Sequence, residues 1–160
     1  MDTKIVFIVN KRKFFGILTR IFTGCHCYHC GILIGDNFYD VSWRRRRSEW
    51  SPESYPNAKV IVFDSPIEID EKILINKMMS SKETYGILNY FLYAIKPFFR
   101  ALKIPMWNMG GIICSEQVNE DLIDAGWHSP WEKKRHPPSP CKMLSYFANH
   151  YNYKYDNNER

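Results

Sequence analysis

Cys114 has the sequence position expected of a reactive thiol. It follows Gly110 and Gly111 and opens a segment, 112–125, whose apolar spacing predicts a helix. A thiol in the first turn of a helix lies at the positive end of the helix dipole, and unpaired backbone N–H groups point towards it. Both effects favour the thiolate, which is the nucleophilic form of cysteine. On position alone, a small buried cysteine without reactivity is the alternative.

His29 is the best placed partner for that thiol. It begins an apolar run over 29–34 that predicts a buried strand, and turn residues follow at 35–37. A cysteine nucleophile needs a general base within reach, and a histidine on a sheet edge facing a helix N-terminus meets that need. A half-buried strand histidine with no chemical role is the alternative.

Three cysteines and two histidines fall within six residues: Cys25, His26, Cys27, His29 and Cys30. This density invites a zinc interpretation. The other candidate ligands do not fall at the spacing of a compact zinc knuckle, so we expect neither a metal nor a cofactor. We expect the five cysteines of the chain to be reduced, and those near His29 to be small, redox-sensitive neighbours of the site.

A basic block runs from Arg44 to Arg47 and is flanked by Trp43 and Trp50. It supplies four of the net +5 charges, so the basicity is local and not a property of the whole chain. The polar composition of 44–56 predicts an exposed loop. The block is either a solvated loop or one wall of a groove for an anionic substrate or lipid headgroup, with Trp43 and Arg44 as contacts. No nucleic-acid module signature is present, so we expect no specific nucleic-acid partner.

The rest of the chain predicts an α+β domain in which a small antiparallel sheet packs against helices. An aromatic-rich helix with Pro97 is either core or an apolar lid, and a lid would favour an acyl-lipid substrate and peripheral membrane contact. The domain is expected over 1–150 and a polar tail over 151–160. Strands are expected at 4–9, 29–34, 38–43 and 60–63, and helices at 14–22, 69–80, 85–102, 112–125 and 140–150.

Length and composition limit the classes of protein to which the chain can belong. The 160 residues are 45% apolar and 24% charged, which is typical of one folded domain. No apolar run approaches the roughly 20 residues of a membrane span. No signal peptide is recognisable at the start of the chain, so we expect a cytoplasmic protein.

Four segments resemble, in order, motifs of circularly permuted papain-like proteins in the NlpC/P60 superfamily, such as the YiiX-like and lecithin retinol acyltransferase-like groups. The segment 28–36 is similar to the strand that carries the catalytic histidine of that family. The segment 113–118, Ile-Cys-Ser-Glu-Gln-Val, is similar to its nucleophile motif. The segments 82–86 and 139–144 resemble a helix opening and the closing motif, and the likeness spans about 14–147.

The resemblance implies a permuted papain-like fold in which Cys114 is the nucleophile and His29 the general base. It also implies a polar third residue, on the strand after the turn, that orients the imidazole. Direct counting places Val41 there, whereas a turn shorter by one residue places Asp40, which we choose, with Ser42 as the fallback. By the same likeness, Tyr85 is a candidate substrate contact.

The function that this implies is cysteine hydrolase activity of the amidase or peptidase type, through an acyl-enzyme. A lipid acyltransferase or thioesterase would use the same residues, and an inactive binding module on this fold is the third reading. The expected partner is a peptide, amide or acyl-lipid substrate. The family resemblance is compatible with a phage or bacterial setting, and the sequence selects neither the natural substrate nor the oligomeric state.

Overall fold

The structure is a computed structural model that describes residues 2–9, 26–42, 44–55, 57–81, 112–131 and 138–156. The helices expected at 14–22 and 85–102 lie outside these residues, as do the candidate substrate contacts Trp43 and Tyr85. The described chain is α+β, with one antiparallel sheet and three α-helices, and this confirms the predicted class.

The sheet has six strands in the spatial order β4-β3-β2-β1-β5-β6, and every pair of neighbours is antiparallel. The helices are α1 (Glu71–Ser80), α2 (Cys114–Asp124) and α3 (Pro140–His150), and a 3₁₀ turn covers Pro52–Ser54. The strands are β1 (Thr3–Val9), β2 (Cys27–Ile34), β3 (Asn37–Val41), β4 (Arg45–Glu49), β5 (Lys59–Asp64) and β6 (Tyr153–Asp156).

The central strand β1 is apolar on both faces because the sheet is covered on both sides. Successive side chains of a strand point to opposite faces. Ile5 and Phe7 therefore lie in the core between the sheet and α2 and α3, whereas Val6 and Ile8 lie in a smaller cluster on the other face. We call these two sides the helix face and the outer face of the sheet. The continuous run over 4–9 fits a strand buried on both sides.

A tight hairpin joins β2 to β3. Its turn is Gly35 and Asp36, and Gly35 has a φ of 56°, which favours glycine. The pairing of Leu33 with Phe38 sets the register. The Phe38 ring lies across Gly31, where an added Cβ would be 2.6 Å from the ring, so a side chain at this position is excluded. The register therefore fixes which β3 side chains share a face with those of β2.

The expectation of an exposed loop over 44–56 is wrong for its first part. Arg45–Glu49 forms β4, in which Asp40 pairs with Arg46 and Val41 pairs with Arg45. A run of arginines has no alternation of apolar and polar residues, which is the usual sign of a strand. The strand forms because carboxylates lie within reach on both faces of this sheet edge.

The expectation of a polar tail from residue 151 is wrong for Tyr153–Asp156. This segment is β6, which pairs with β5 through Ile61–Asp156 and Val62–Tyr155. Without β6, the hydrogen-bonding edge of β5 would be unpaired.

The helix boundaries follow their capping residues. α3 begins after Ser139, whose side chain accepts a hydrogen bond from the Lys142 N–H, with Pro140 in the first turn, as predicted. α2 ends before Gly126, whose φ of 101° is left-handed, which also matches the sequence. None of the helices in the described part of the chain has the length and apolar character needed to cross a membrane.

Candidate active site

Cys114 is the first residue of α2, so its side chain lies where the unpaired N–H groups of the first turn converge. The helix packs over β2 and is buried along its first nine residues. At its start, the Ser115 hydroxyl donates a 2.7 Å hydrogen bond to the Pro138 carbonyl. The thiol is 1% exposed and belongs to the helix-face core.

A β-bulge at the start of β2 brings His29 to the thiol. Ile8 pairs with His29 but Val9 pairs with Cys27, so Tyr28 is the extra residue. Cys27 and Cys30 both lie in the helix-face core, whereas Tyr28 packs against the outer-face cluster. A bulge re-aims neighbouring side chains in this way, and His29 and Cys114 are close enough for each to shift the pKa of the other.

Asp40 holds the other side of the imidazole. Its Oδ2 lies 2.6 Å from His29 Nε2, and the carboxylate is fully buried. Since Nε2 is engaged by Asp40, Nδ1 is the ring nitrogen that remains for a thiol. The three side chains form a line, thiol to imidazole to carboxylate, as a nucleophile, its base and an orienting acid require.

Arg46 completes the line from the opposite strand. Its Nε donates to Asp40 Oδ1 at 2.6 Å and its Nη2 donates to Oδ2 at 2.9 Å. Asp40 and Arg46 are cross-strand partners, so both side chains point to the same face. A forked, charge-assisted pair of this kind fixes the plane of the carboxylate as well as its charge.

The electrostatics of the line favour an ion pair. Burial opposes protonation of the imidazole, but hydrogen bonds with Asp40 and Cys114 raise the pKa of His29 to about 9. A hydrogen bond from the Cys30 thiol, together with the hydrogen bond and charge of His29, holds the pKa of Cys114 well below its ordinary range in spite of burial. Both shifts favour a thiolate beside an imidazolium.

Asp40 stays ionised beneath that pair. Burial alone would raise the pKa of this carboxyl, but hydrogen bonds from His29 and Arg46 hold it below its usual value. A buried carboxylate needs such partners, because an unpaired buried charge costs several kcal/mol.

Cys30 has the largest influence on the thiol of Cys114, whose pKa it lowers through hydrogen bonding. Burial raises the pKa of Cys30, and Cys114 raises it further, which favours ionisation of Cys114 over ionisation of Cys30. Cys27 differs, because its Sγ lies 3.6 Å from the His29 carbonyl oxygen within its own strand.

Aromatic rings pack around the imidazole on the outer face. The Phe38 ring meets His29 edge-on at 6.3 Å, and Tyr28 stacks beside it at 6.4 Å. A cavity of about 290 Å³ lies next to this group, lined by Phe38, Arg46, Trp50 and Tyr55 among others. The half-exposed Arg46 guanidinium is shared between this cavity and the buried carboxylate.

The structure brings together three of the residues singled out in the sequence: Cys114, His29 and Asp40. Val41 follows Asp40 on the strand and points to the other face, while Ser42 lies beyond the strand. Arg44 is exposed and lies outside the line of contacts. Because Ile32 pairs with Tyr39, Asp40 shares a face with His29, whereas Val41 does not.

Sequence reasoning missed the role of Arg46 and the effect of Cys30 on the pKa of Cys114. Arg46 belongs to the basic block that the sequence predicts as a loop. The spacing of six residues between Asp40 and Arg46 is the signal that could have indicated a cross-strand pair in a hairpin. The sequence places Cys30 near the site but gives no sign that it lowers the pKa of Cys114.

The cysteines do not share one state. Cys27, Cys30 and Cys114 are free thiols, whereas Cys141 is disulfide-bonded, so the expectation of five reduced cysteines is wrong for Cys141. Within the described ranges, no group of three or more His, Cys, Asp or Glu side chains is arranged to hold a metal ion. The zinc interpretation therefore gains no support there.

Comparison with known proteins adds no evidence to the geometry of the site. No protein-family model, no curated protein and no solved structure matches the chain.

Proposed function

We propose that this protein is a cysteine hydrolase of the amidase or peptidase type, with Cys114 as nucleophile, His29 as general base and acid, and Asp40 as the orienting carboxylate. The observation that carries the proposal is the 2.6 Å hydrogen bond between the His29 imidazole and the buried Asp40 carboxylate, beside a helix N-terminal Cys114 whose pKa His29 helps to lower. The order of the parts, with the histidine strand before the cysteine helix, supports a permuted papain-like fold.

The mechanism follows from the ion pair. The Cys114 thiolate attacks a carbonyl carbon, and first-turn N–H groups of α2 are placed to stabilise the developing oxyanion. Protonated His29 then donates its proton to the leaving group, which leaves an acyl-enzyme. Neutral His29 next accepts a proton from water, and the resulting hydroxide releases the acid and restores the thiolate.

A purely structural role explains these contacts poorly. A buried Asp–His pair contributes little net stability, because the desolvation cost offsets most of the attraction. Perturbed thiol and imidazole groups in contact are more typical of functional sites. Arg46 also donates hydrogen bonds from both Nε and Nη2 to Asp40, although its half-exposed side chain could be hydrated by solvent instead.

An acyl-transfer burst tests the proposal. We expect p-nitrophenyl acetate to acetylate Cys114 in a rapid phase of about one equivalent, followed by slower turnover as water releases the acyl group. The adduct is mapped by peptide mass spectrometry. Cys114→Ala should abolish the burst, and Cys27→Ala, which removes a neighbouring buried thiol, should keep it. A wild-type protein that shows no burst, or a burst that survives in Cys114→Ala, would contradict the proposal.

The same assay separates the substrate classes. An amidase also cleaves amino-acyl p-nitroanilides, whereas an esterase or acyltransferase accepts only the activated ester or passes the acyl group to an added amine or alcohol. Met79 on α1 is the exposed large hydrophobic residue among those described. No feature of the described surface favours a lipid over an amide, so the amide is the first choice.

A further inference from the structure

The cavity beside Arg46 is a feature of the outer face that the proposed acyl transfer does not use. It has a volume of about 290 Å³ and lies over the paired strands β3 and β4, where Phe38 and Ser48 are cross-strand partners that both line it. Ligand pockets combine apolar and aromatic walls with a few placed polar groups, and this cavity has both. Its size suits a single ring and its substituents.

Three aromatic rings form one wall of this cavity. The Trp50 ring lies 5.0 Å from that of Phe38 and 6.1 Å from that of Tyr55, measured between centroids. The Trp50 N–H donates a 2.8 Å hydrogen bond to the Asp36 carbonyl. The Tyr55 N–H donates one of 3.0 Å to the Pro52 carbonyl. The rings are therefore anchored before a ligand arrives, which lowers the ordering cost of binding.

The guanidinium of Arg46 supplies a positive charge at the same cavity. Its Nε and Nη2 donate to Asp40 at 2.6 and 2.9 Å, and Nη1 has no hydrogen-bond partner among the described residues. The side chain is 49% exposed. Because a guanidinium carries five N–H donors in a planar fork, Arg46 can bind a second acid and keep the first.

Glu49 also borders the cavity, but its carboxylate points away from it. Its cross-strand partner is Asn37, whose side chain donates a 3.0 Å hydrogen bond to Glu71 of α1, on the helix face. Cross-strand partners share a face of the sheet. The Glu49 side chain therefore lies on the helix side, and its charge does not oppose an anion bound at Arg46.

We propose that this cavity is a binding site for a carboxylate carried next to a flat apolar group, such as a C-terminal aromatic residue of a peptide or a free aromatic acid. Arg46 binds the carboxylate, and the ring of the ligand packs against Trp50. Since Asp40 already balances part of the Arg46 charge, the site favours a single negative charge over the double charge of a phosphate monoester. The inference needs no hydrolytic activity.

Calorimetric titration of the full chain with matched probes tests the ligand chemistry. We expect N-acetyl-L-phenylalanine to bind saturably, with one molecule per chain. N-acetyl-L-phenylalaninamide keeps the ring but lacks the charge, and it should bind at least about tenfold more weakly, because hydrogen bonds to charged groups are the stronger ones. N-acetylglycine keeps the acid but lacks the ring, and it should also bind more weakly.

A further probe, 3-phenylpropanoate, distinguishes the two sources of this chemistry. It has the ring and the acid of N-acetyl-L-phenylalanine without the amide. Tighter binding of N-acetyl-L-phenylalanine supports the peptide end, whereas equal or tighter binding of 3-phenylpropanoate supports a free aromatic acid. Both results keep the carboxylate site.

Variants locate the site. Ser48→Phe fills the cavity without touching the Arg46–Asp40 pair, and binding of N-acetyl-L-phenylalanine should be lost. Arg46→Gln removes the cation, and the affinity should fall by at least about tenfold. Arg47→Gln is the matched control: it removes the same charge from the same strand, but Arg47 is the partner of Tyr39 on the helix face, so binding should be kept.

Four results would overturn the inference: no saturable binding of N-acetyl-L-phenylalanine at millimolar concentration, equal affinity for the acid and its amide, unchanged binding in Ser48→Phe, or equal losses in Arg46→Gln and Arg47→Gln. The probe pair and Ser48→Phe keep the test decisive if Arg46→Gln does not fold. The acyl burst reports separately on the proposed hydrolase. Binding without a burst would keep the site and reject the enzyme, and a burst without binding would do the reverse.

Discussion

Arg45 and Arg46 are neighbours on β4. Each forms two N–H···O contacts with a buried aspartate, yet the two ion pairs have different roles. On the helix face, Arg45 Nη1 lies 3.0 and 3.1 Å from the two carboxylate oxygens of Asp121 on α2. On the outer face, Arg46 holds Asp40 at 2.6 and 2.9 Å. Strand alternation sends the two arginines to opposite sides of one sheet edge.

The difference lies in what the carboxylate meets at its other end. Asp121 also accepts a 2.7 Å hydrogen bond from Lys77, a cation that stays charged over the working pH range and also pairs with Asp124. That network braces β4, α1 and α2 against one another. Asp40 instead meets His29, which titrates and touches a thiol. The same type of ion pair therefore holds structural elements together at Asp121 and influences the pKa of His29 at Asp40.

The largest expected effect is on stability at the brace. Asp121→Asn leaves Arg45, which is 6% exposed, without its main charge partner, and we expect the free energy of unfolding to fall by about 3–5 kcal/mol. Urea unfolding followed by tryptophan fluorescence measures this. Alkylation of Cys114 in the folded variant should match wild type. A large loss of thiol reactivity here would erase the distinction between the two pairs.

The next effect is on reactivity at the other pair. Asp40→Asn keeps the shape of the side chain but removes the charge that supports imidazolium, so alkylation of Cys114 at pH 7 should slow by about 100-fold. The stability loss should be smaller than for Asp121→Asn, because Arg46 is half-exposed and can be hydrated. Iodoacetamide rates read by peptide mass spectrometry test this, and equal rates in Asp40→Asn and wild type would remove Asp40 from the account.

A smaller effect is expected at Arg46, which we assign as a positioning residue. Arg46→Gln removes one of the two partners that hold the pKa of Asp40 low, so Asp40 protonates at a higher pH and Cys114 loses reactivity earlier on acidification. The rate at pH 7 should fall by less than about tenfold. Arg45→Gln is the matched control: it should reduce stability and leave the acid limb of the profile where it is. A shift in both variants would indicate a general loss of packing.

The smallest effect is the alkaline limb of wild-type acyl transfer. The pKa of His29 is raised to about 9, so the imidazolium that protonates the leaving group is lost as pH rises through that value, and the rate should fall there. By the same linkage, the stabilisation of the fold by this ion is complete below about 6.5 and is lost towards pH 9. A rate that keeps rising through pH 9 would contradict a protonated His29 in the reaction.

The sequence was most informative where local physics decides the structure. α3 follows from Ser139 and Pro140, the end of α2 follows from Gly126, and β1 follows from its β-branched run. Cys114 and His29 could be predicted as site residues because a helix N-terminus and a buried strand can be recognised from the local sequence.

Long-range pairing decides the rest. The choice between Asp40 and Val41 depends on a turn length that changes which face a side chain takes, and no local pattern encodes it. β4 was missed because its arginines are matched by acids that are distant in the chain, such as Asp121. The effect of Cys30 on the pKa of Cys114 likewise links a strand to a helix more than 80 positions later.

The central claim is that His29 and Cys114 form an ion pair, and the pH dependence of Cys114 alkylation in wild type and His29→Ala tests it most directly. Cys27, a free buried thiol whose pKa is raised, is the internal control in the same peptide maps. The account predicts a wild-type Cys114 pKa well below the ordinary value of about 8.5, and a rise to that value or above in His29→Ala. An ordinary pKa in both proteins, with no dependence on His29, would contradict it.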